Sequence, residues 1–423
     1  MKIAIIGSGI AGNVIAQRLR REHDITVFEA GDHVGGHTHT HNVEQAGRWY
    51  AVDTGFIVFN DRTYPNFIAL LDELGVASQE SSMSFSVRCE ASGLEYNGAT
   101  LNTLFTQRRN LLRPAFLGMV RDILRFNREA LDLLDDPGDE LTLGELLARG
   151  RYGRAFVEHY IVPMGAAIWS TDPESMRDFP ARFFVRFLHN HGMLTVNARP
   201  VWRTICGGSA RYVDRLTAPF RDRIRLRTAV DWIRRLPGSA IVKARGHEAA
   251  RYDAVFLACH SDDALKLLAD PSAAEREVLG AIPYQENQTV LHTDVSLLPR
   301  KRRAWAAWNY HVVPSHRGPV ALTYNMNILQ RLDAPTPFLV TLNRTDAIDP
   351  ARIIKRINYR HPLFTPASVA AQARQREVNG SLRTYYCGAW WRNGFHEDGV
   401  VSALDALSHF EQDHAQRAVY RTA

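Results

Sequence analysis

Residues 3–6 (Ile-Ala-Ile-Ile) form an unbroken apolar run of strand length, and Ala11, Ile15 and Leu19 then recur at four-residue spacing, which is helical. Ile25-Thr26-Val27-Phe28 is a second strand-length run. Residues 64–75 carry a short helical pattern ending at Gly75. Residues 102–135 carry a longer one, apolar and basic, with a break or kink expected at Pro114 and a stop at 135–139 (Asp-Asp-Pro-Gly-Asp). Helical spacing resumes over 142–149, over 151–168 and after Pro180. Gly207-Gly208-Ser209 precede a helix through Tyr212, Leu216 and Phe220. Residues 224–228 read as a strand, 232–244 as a hairpin turning at Pro237-Gly238, and 252–258 as a buried strand that should rejoin the first sheet. Residues 288–345 alternate as antiparallel strands do, Tyr385-Tyr386-Cys387-Gly388 is a strand ending in glycine, and 395–404 turn into the last helix.

Between the first strand and the first helix stands Gly7-Ser8-Gly9-Ile10-Ala11-Gly12, and Glu29 closes the second strand. Strand, glycine turn, helix, strand, acid is the βαβ fingerprint of a dinucleotide site. Glycines permit a tight turn and close approach to a pyrophosphate, helix-start N–H groups face that anion, and the acid accepts from ribose hydroxyls while disfavouring a 2′-phosphate. Asp32-His33-Val34-Gly35-Gly36-His37 follow directly, and the paired glycines suit a second phosphate or a flavin ring, which favours FAD over NAD. A first and a last segment that both bind cofactor imply one discontinuous nucleotide domain with other sequence inserted.

The chain here resembles the flavin-containing amine oxidase, phytoene desaturase and protoporphyrinogen oxidase superfamily over nearly its whole length, through Gly7, Gly9, Gly12, Glu29, Gly35, Gly36, Gly207-Gly208 and the 388–404 segment. Within it, the chain resembles a bacterial branch associated with cyclopropane fatty acid synthases, through residues 36–40, 53–60, Trp308-Asn309-Tyr310 and 325–330. The usual Gly-Gly-Arg step is Gly35-Gly36-His37 here, so no arginine role beside the flavin carries over. The resemblance implies a mixed α/β fold. An FAD-binding Rossmann-like domain (1–62, 200–265, 380–423) would hold a helical cap with part of the substrate domain (63–199), and an antiparallel-sheet substrate domain (266–379). It implies an FAD-dependent oxidoreductase taking hydride from a C–H bond of a lipid or fatty acyl substrate. Amine oxidation, double-bond isomerisation and a non-catalytic flavoprotein accessory to a lipid methyltransferase remain as alternatives. Expected cofactor contacts are Gly7, Gly9, Ile10, Ala11, Gly12, Glu29, Ala30, Gly35, Gly36, His37, Thr54, Gly55, Val230, Gly388, Asp398, Gly399 and Val400.

Composition adds bounds. With 423 residues, 45% hydrophobic and 23% charged, the chain has the make-up of a globular enzyme of two or three subdomains. No apolar run reaches membrane-spanning length, and the glycine fingerprint accounts for the apolar stretch after Lys2 better than a secretory leader does. Four widely spaced cysteines form no CxxC pair, so a cytoplasmic, reduced protein is expected, peripheral on the inner membrane face at most. Net charge is +6, and 46 of the 51 basic residues are arginine, dispersed and without a nucleic-acid-binding motif.

Four candidate groups remain. His33, His37, His39 and His41 fall within nine residues, and the last three share a face if extended. They lack an Asp or Cys partner at ligand-like spacing, so no metal is expected, and His37 or His39 would tune the flavin or move a proton. Asp53, Thr54, Gly55 and Asn60 would support the cofactor pocket or cap a turn. Trp390 and Trp391 follow Gly388 closely and are expected to face the ring, joining His37 and His39 as catalytic candidates, whereas Trp305 reads as core. In 104–134, Leu111, Leu112, Phe116, Leu117, Val120, Ile123 and Leu124 read as an apolar stripe. Arginines 108, 109, 113, 121, 125 and 128 flank it. That is either an amphipathic cap or a segment resting on an anionic bilayer. The run Arg300-Lys301-Arg302-Arg303 has the same two readings.

Overall fold

The computed structural model describes residues 1–135, 141–195, 199–313 and 318–422, so the stop signal at 136–139 lies outside the described residues. The fingerprint segment folds as its pattern requires: strand Lys2–Ile6, helix Ile10–Leu19, strand Asp24–Phe28. Five strands form a parallel sheet in the order Ile224–Arg225, Asp24–Phe28, Lys2–Ile6, Ala254–Leu257, Thr384–Tyr386. Side chains alternate across it. Ile3, Ile5, Val27, Phe256 and Tyr385 enter one apolar cluster with the first helix and with Ala403, Leu407 and Phe410 of the last helix, His396–Thr422. Ala4, Ile6, Phe28, Val255 and Tyr386 enter a second cluster, with the hairpin Val230–Leu236/Ser239–Ala244 and helix Ala273–Gly280. A sheet covered on both faces explains why its strands are continuous apolar runs.

The inserted sequence builds a seven-stranded sheet in the order Ile353–Pro362, Tyr284–His292, Leu339–Leu342, Leu322–Asn325, Trp308–Val312, Phe85–Cys89, Leu94–Asn97. Its pairings are antiparallel except Trp308–Val312 with Phe85–Cys89, which is parallel. Two strands therefore come from the first insert and five from the second. The cap comprises Leu143–Arg149, Arg154–Trp169 in three helical pieces that include a π-turn at Val157–Ile161, and Ala181–Asn190.

The 102–135 stretch falls into four pieces, with the expected break just before Pro114 and further breaks on either side: Leu101–Leu104, a 3₁₀ turn Arg108–Leu112, the helix Pro114–Glu129 and a turn Asp132–Asp135. Pro114 starts the helix, where its missing N–H costs nothing. The inward face is Phe116, Met119, Asp122 and Phe126. Of the seven stripe residues only Phe116 is fully buried, and Leu111, Leu112, Leu117 and Leu124 are exposed.

Candidate active site

The three fingerprint glycines divide by role. A Cβ at Gly7 would lie 2.6 Å from the Ala258 carbonyl oxygen, and one at Gly12 would run into the Gly7 carbonyl, so Gly7 seats the turn against the end of strand Ala254–Leu257 and Gly12 closes the turn on itself. A Cβ at Gly9 would meet nothing within 4 Å. Gly9 caps the first helix, whose first-turn N–H groups have no intrahelical acceptor, so an open, electropositive space sits at the helix start. Glu29 borders it. Its carboxylate accepts from Ser8 N (2.9 Å), Ser8 Oγ (2.6 Å) and Gly31 N (2.8 Å), while Ala30 is exposed. Arg227 N and Thr228 N donate to the Gly31 and Glu29 carbonyls, which brings the start of the Val230 strand to the same place.

The last segment returns to this turn. Gly399 packs so that a Cβ would lie 2.6 Å from Ile10 Cγ2, and Val400 joins the cluster of Ile10 and Ala11. Asp398 accepts from Phe395 N at 2.8 Å, and burial pushes its carboxyl up to about 7. Gly388 N donates to Ser402 Oγ. The paired-glycine loop is held from the other side: Gly35 N donates to the Ser8 carbonyl, and a Cβ on Gly36 would sit 3.1 Å from Gly9 Cα. Thr38 Oγ1 then meets Tyr212 Oη (2.6 Å) and His396 Nε2 (3.0 Å), and these two meet each other at 2.7 Å. The His396 ring lies flat on Phe56, 3.6 Å between centroids. This buried three-way contact joins loop, helix Ala210–Thr217 and the last helix, and nothing in the local sequence pattern marks it.

Beyond the loop the structure gathers more imidazoles than the sequence suggests. His37 lies 5.1 Å from Tyr359, 5.4 Å from His361 and 6.0 Å from His260 (ring centroids), and His260 stacks on Tyr284 at 4.4 Å. His37, His260, His361 and Tyr284 are surrounded by protein yet keep accessible surface, so they line an enclosed space. Burial holds His260 and His361 neutral, at about 3, and lowers His37 too. His37 Nε2 is buried with no hydrogen-bond partner. His39 stacks on His33 (3.9 Å) and meets His41 at a tilt (4.1 Å), and burial lowers His39 and His41 to about 4. Tyr359 Oη ties this column to Thr54 Oγ1 (2.9 Å) and contacts His39 Nδ1 (3.3 Å). Thr54 N and Phe56 N donate to the His39 and His37 carbonyls, and Gly55 lies against the latter.

The remaining candidates are held by protein partners. Asp53 is enclosed by Thr40, Ser209 and Gln330, and burial pushes it up to about 6; Asn60 caps its own turn through Arg62 N and Thr63 N. Trp390 and Trp391 are packed in the second sheet cluster and donate their indole N–H to the Cys259 and Tyr386 carbonyls, Cys259 being the chain neighbour of His260. Among the described residues, His260, Asp262 and Asp263 approach as metal ligands would, but Arg360 pairs with both carboxylates and supplies the positive charge.

The open space at Gly9, the acid at its border and the enclosed space past Gly36 fit a dinucleotide carrying a ring system. The sequence model of the flavin containing amine oxidoreductase family matches residues 10–293. A flavin-containing monooxygenase (FMO GS-OX-like 7) of Arabidopsis thaliana is 54% identical over 44 residues, a match spanning 10% of this chain and 10% of that protein. Cyclohexylamine oxidase from Brevibacterium oxydans IH-35A is similar in structure, with a TM-score of 0.70 at 16% identity, covering 97% of this chain and 99% of that one. A CLA-producing fatty acid isomerase from P. acnes gives 0.65 at 17% identity, covering 96% and 98%. Wild-type putrescine oxidase bound to putrescine gives 0.66 at 15%, covering 99% and 98%.

Proposed function

The chain belongs to the flavin containing amine oxidoreductase family and is an FAD-dependent oxidoreductase, and from that premise we propose that it acts on a neutral, apolar substrate of the lipid or fatty acyl class. The fold leaves the substrate open, since amine oxidases and a fatty acid isomerase share it. The lining of the enclosed space favours the apolar reading. Its imidazoles and phenols are uncharged, and the nearby carboxylates of Asp262 and Asp263 are engaged by Arg360. An ammonium group placed there would lose water without gaining a counter-ion. A hydrocarbon chain loses nothing and gains about 0.8 kcal/mol per CH₂ buried.

In this reading the Gly9 turn and first-helix N–H groups hold the pyrophosphate, Glu29 the ribose, and the Gly35–Gly36 loop the inner half of the cofactor. Bound FAD supplies a two-electron acceptor for a substrate C–H bond. His37, neutral and with Nε2 free, would take the accompanying proton from the neighbouring carbon in a desaturation, whereas in a double-bond migration that proton and the hydride would both go back to the substrate. Anaerobic stopped-flow mixing with acyl substrates of increasing length and with short amines is the test. Bleaching of the flavin that quickens with chain length supports the reading, and migration instead yields a product of unchanged mass with the flavin oxidised at the end. Rapid bleaching by short amines with indifference to acyl length overturns it in favour of amine oxidation.

A further inference from the structure

Residues 101–129, whose helix Pro114–Glu129 packs against the cap at Arg154–Phe156, present a surface unlike the rest of the molecule. Ten large hydrophobic side chains are exposed among the described residues, and five of them, all leucines, fall between positions 101 and 124. Leu112 is 87% exposed and Leu101 76%. On helix Pro114–Glu129, Leu117, Arg121, Leu124 and Arg128 follow at spacings of four, three and four, which sets them along one stripe directly opposite Met119 and Phe126. The preceding 3₁₀ turn adds exposed Arg108, Arg109 and Leu111. Residues 101–128 contain six arginines and a single acid, and that acid, Asp122, is buried, where it accepts from Gly153 N. The exposed run at 300–303 adds charge alongside, since turn Arg302–Ala304 packs against helix Leu101–Leu104.

We propose that this face is a membrane-docking surface that rests on a bilayer containing anionic lipid, its leucines at the acyl boundary and its arginines among headgroup phosphates. A protein interface gathers its apolar area in a centre with a polar rim. Here leucine and arginine alternate along the stripe, an arrangement suited to the headgroup–acyl boundary, where phosphate and hydrocarbon lie within one side-chain length. A second copy related by two-fold symmetry would set this arginine stripe against itself. The inference goes beyond the substrate reading and does not depend on it.

The test is flotation of the FAD-loaded full chain with vesicles of phosphatidylcholine alone and of phosphatidylcholine with phosphatidylglycerol, without substrate. Binding is expected to the anionic vesicles only, and to fall with salt as screening shortens. R121Q and R128Q should each weaken it about fivefold, and the double change L112E/L124E should abolish it. An unchanged flavin-to-protein ratio will report that these surface variants are folded. Absence of wild-type binding, equal binding to both vesicle types, or variants that bind like wild type overturns the proposal. So does a shift of L112E/L124E to a smaller species in gel filtration, which would make the face a contact between copies.

Discussion

Gly9 and Gly12 look alike in the sequence and should respond differently to the same methyl group. At Gly9 the backbone angles suit any residue and the added carbon meets no protein, so Gly9→Ala should leave the apo melting temperature unchanged and weaken FAD, and Gly9→Val should bind none. At Gly12 the carbon strikes the Gly7 carbonyl, so Gly12→Ala should cost about 1–3 kcal/mol of stability with or without cofactor. Thermal melts of both variants, with and without added FAD, separate the two effects. Glu29→Ala should weaken FAD by about 1–3 kcal/mol. Gln would be a poorer substitute than its shape suggests, because both carboxylate oxygens already accept from Ser8 and Gly31 and an amide NH₂ cannot. Titration of apo variants with FAD checks this. His37→Gln should keep FAD while slowing flavin reduction by about a hundredfold. Because burial holds His37 below 6.5, the wild-type rate per bound flavin should be flat at and above pH 6.5 and fall only at lower pH as His37 gains its proton, a limb the variant lacks, read by stopped flow across pH.

At the scale of elements, the last helix does more than cover the sheet. Glu397 accepts from Asn66 N (3.1 Å) and Phe67 N (2.8 Å), capping helix Pro65–Leu74, whose own N-cap residue, Tyr64, makes no side-chain capping hydrogen bond. Glu397→Ala should lower stability by about 1–3 kcal/mol, seen as a shift in the urea midpoint. Local pattern foretold these helices well because apolar spacing is a property of neighbours in sequence. It foretold their faces less well. Leu117 and Leu124 are spaced like Met119 and Phe126, so period alone cannot say which pair turns inward, and the apolar stripe read from the sequence mixes outward Leu117 and Leu124 with buried Phe116. The site was legible where one segment carries it, as with Gly7 to Glu29. It was illegible where it joins segments 320 or 358 residues apart, as with His39 to Tyr359 or Thr38 to His396.

For the whole molecule, burial of so many neutral imidazoles has a thermodynamic consequence. His260, His361 and His396 sit at about 3, and His39, His41, His191 and His292 at about 4, against 6.5 in an unfolded chain. Folded values below unfolded ones mean stability that is fully present above pH 6.5 and lost as pH falls towards 4 and 3. Asp53 at about 6 and Asp398 at about 7 act oppositely, stabilising at low pH and losing that contribution as pH rises through those values. The histidines outnumber them, so the melting temperature should drop from about pH 6.5 to about pH 5, with FAD released, and calorimetry across that range is the check.

The order of strands in the parallel sheet also governs how the chain is made. Lys2–Ile6 can pair early with Asp24–Phe28, but its other edge waits for Ala254–Leu257, and that strand in turn waits for Thr384–Tyr386. At about 5–20 residues per second, a ribosome takes roughly 12–50 seconds to supply the first of these partners. Throughout that interval an apolar strand edge stands unpaired on a growing chain, a template for any other nascent strand. Expression at low temperature or with added chaperones should therefore raise the soluble yield more than added FAD does, because the open edge exists before there is a pocket for the cofactor to enter.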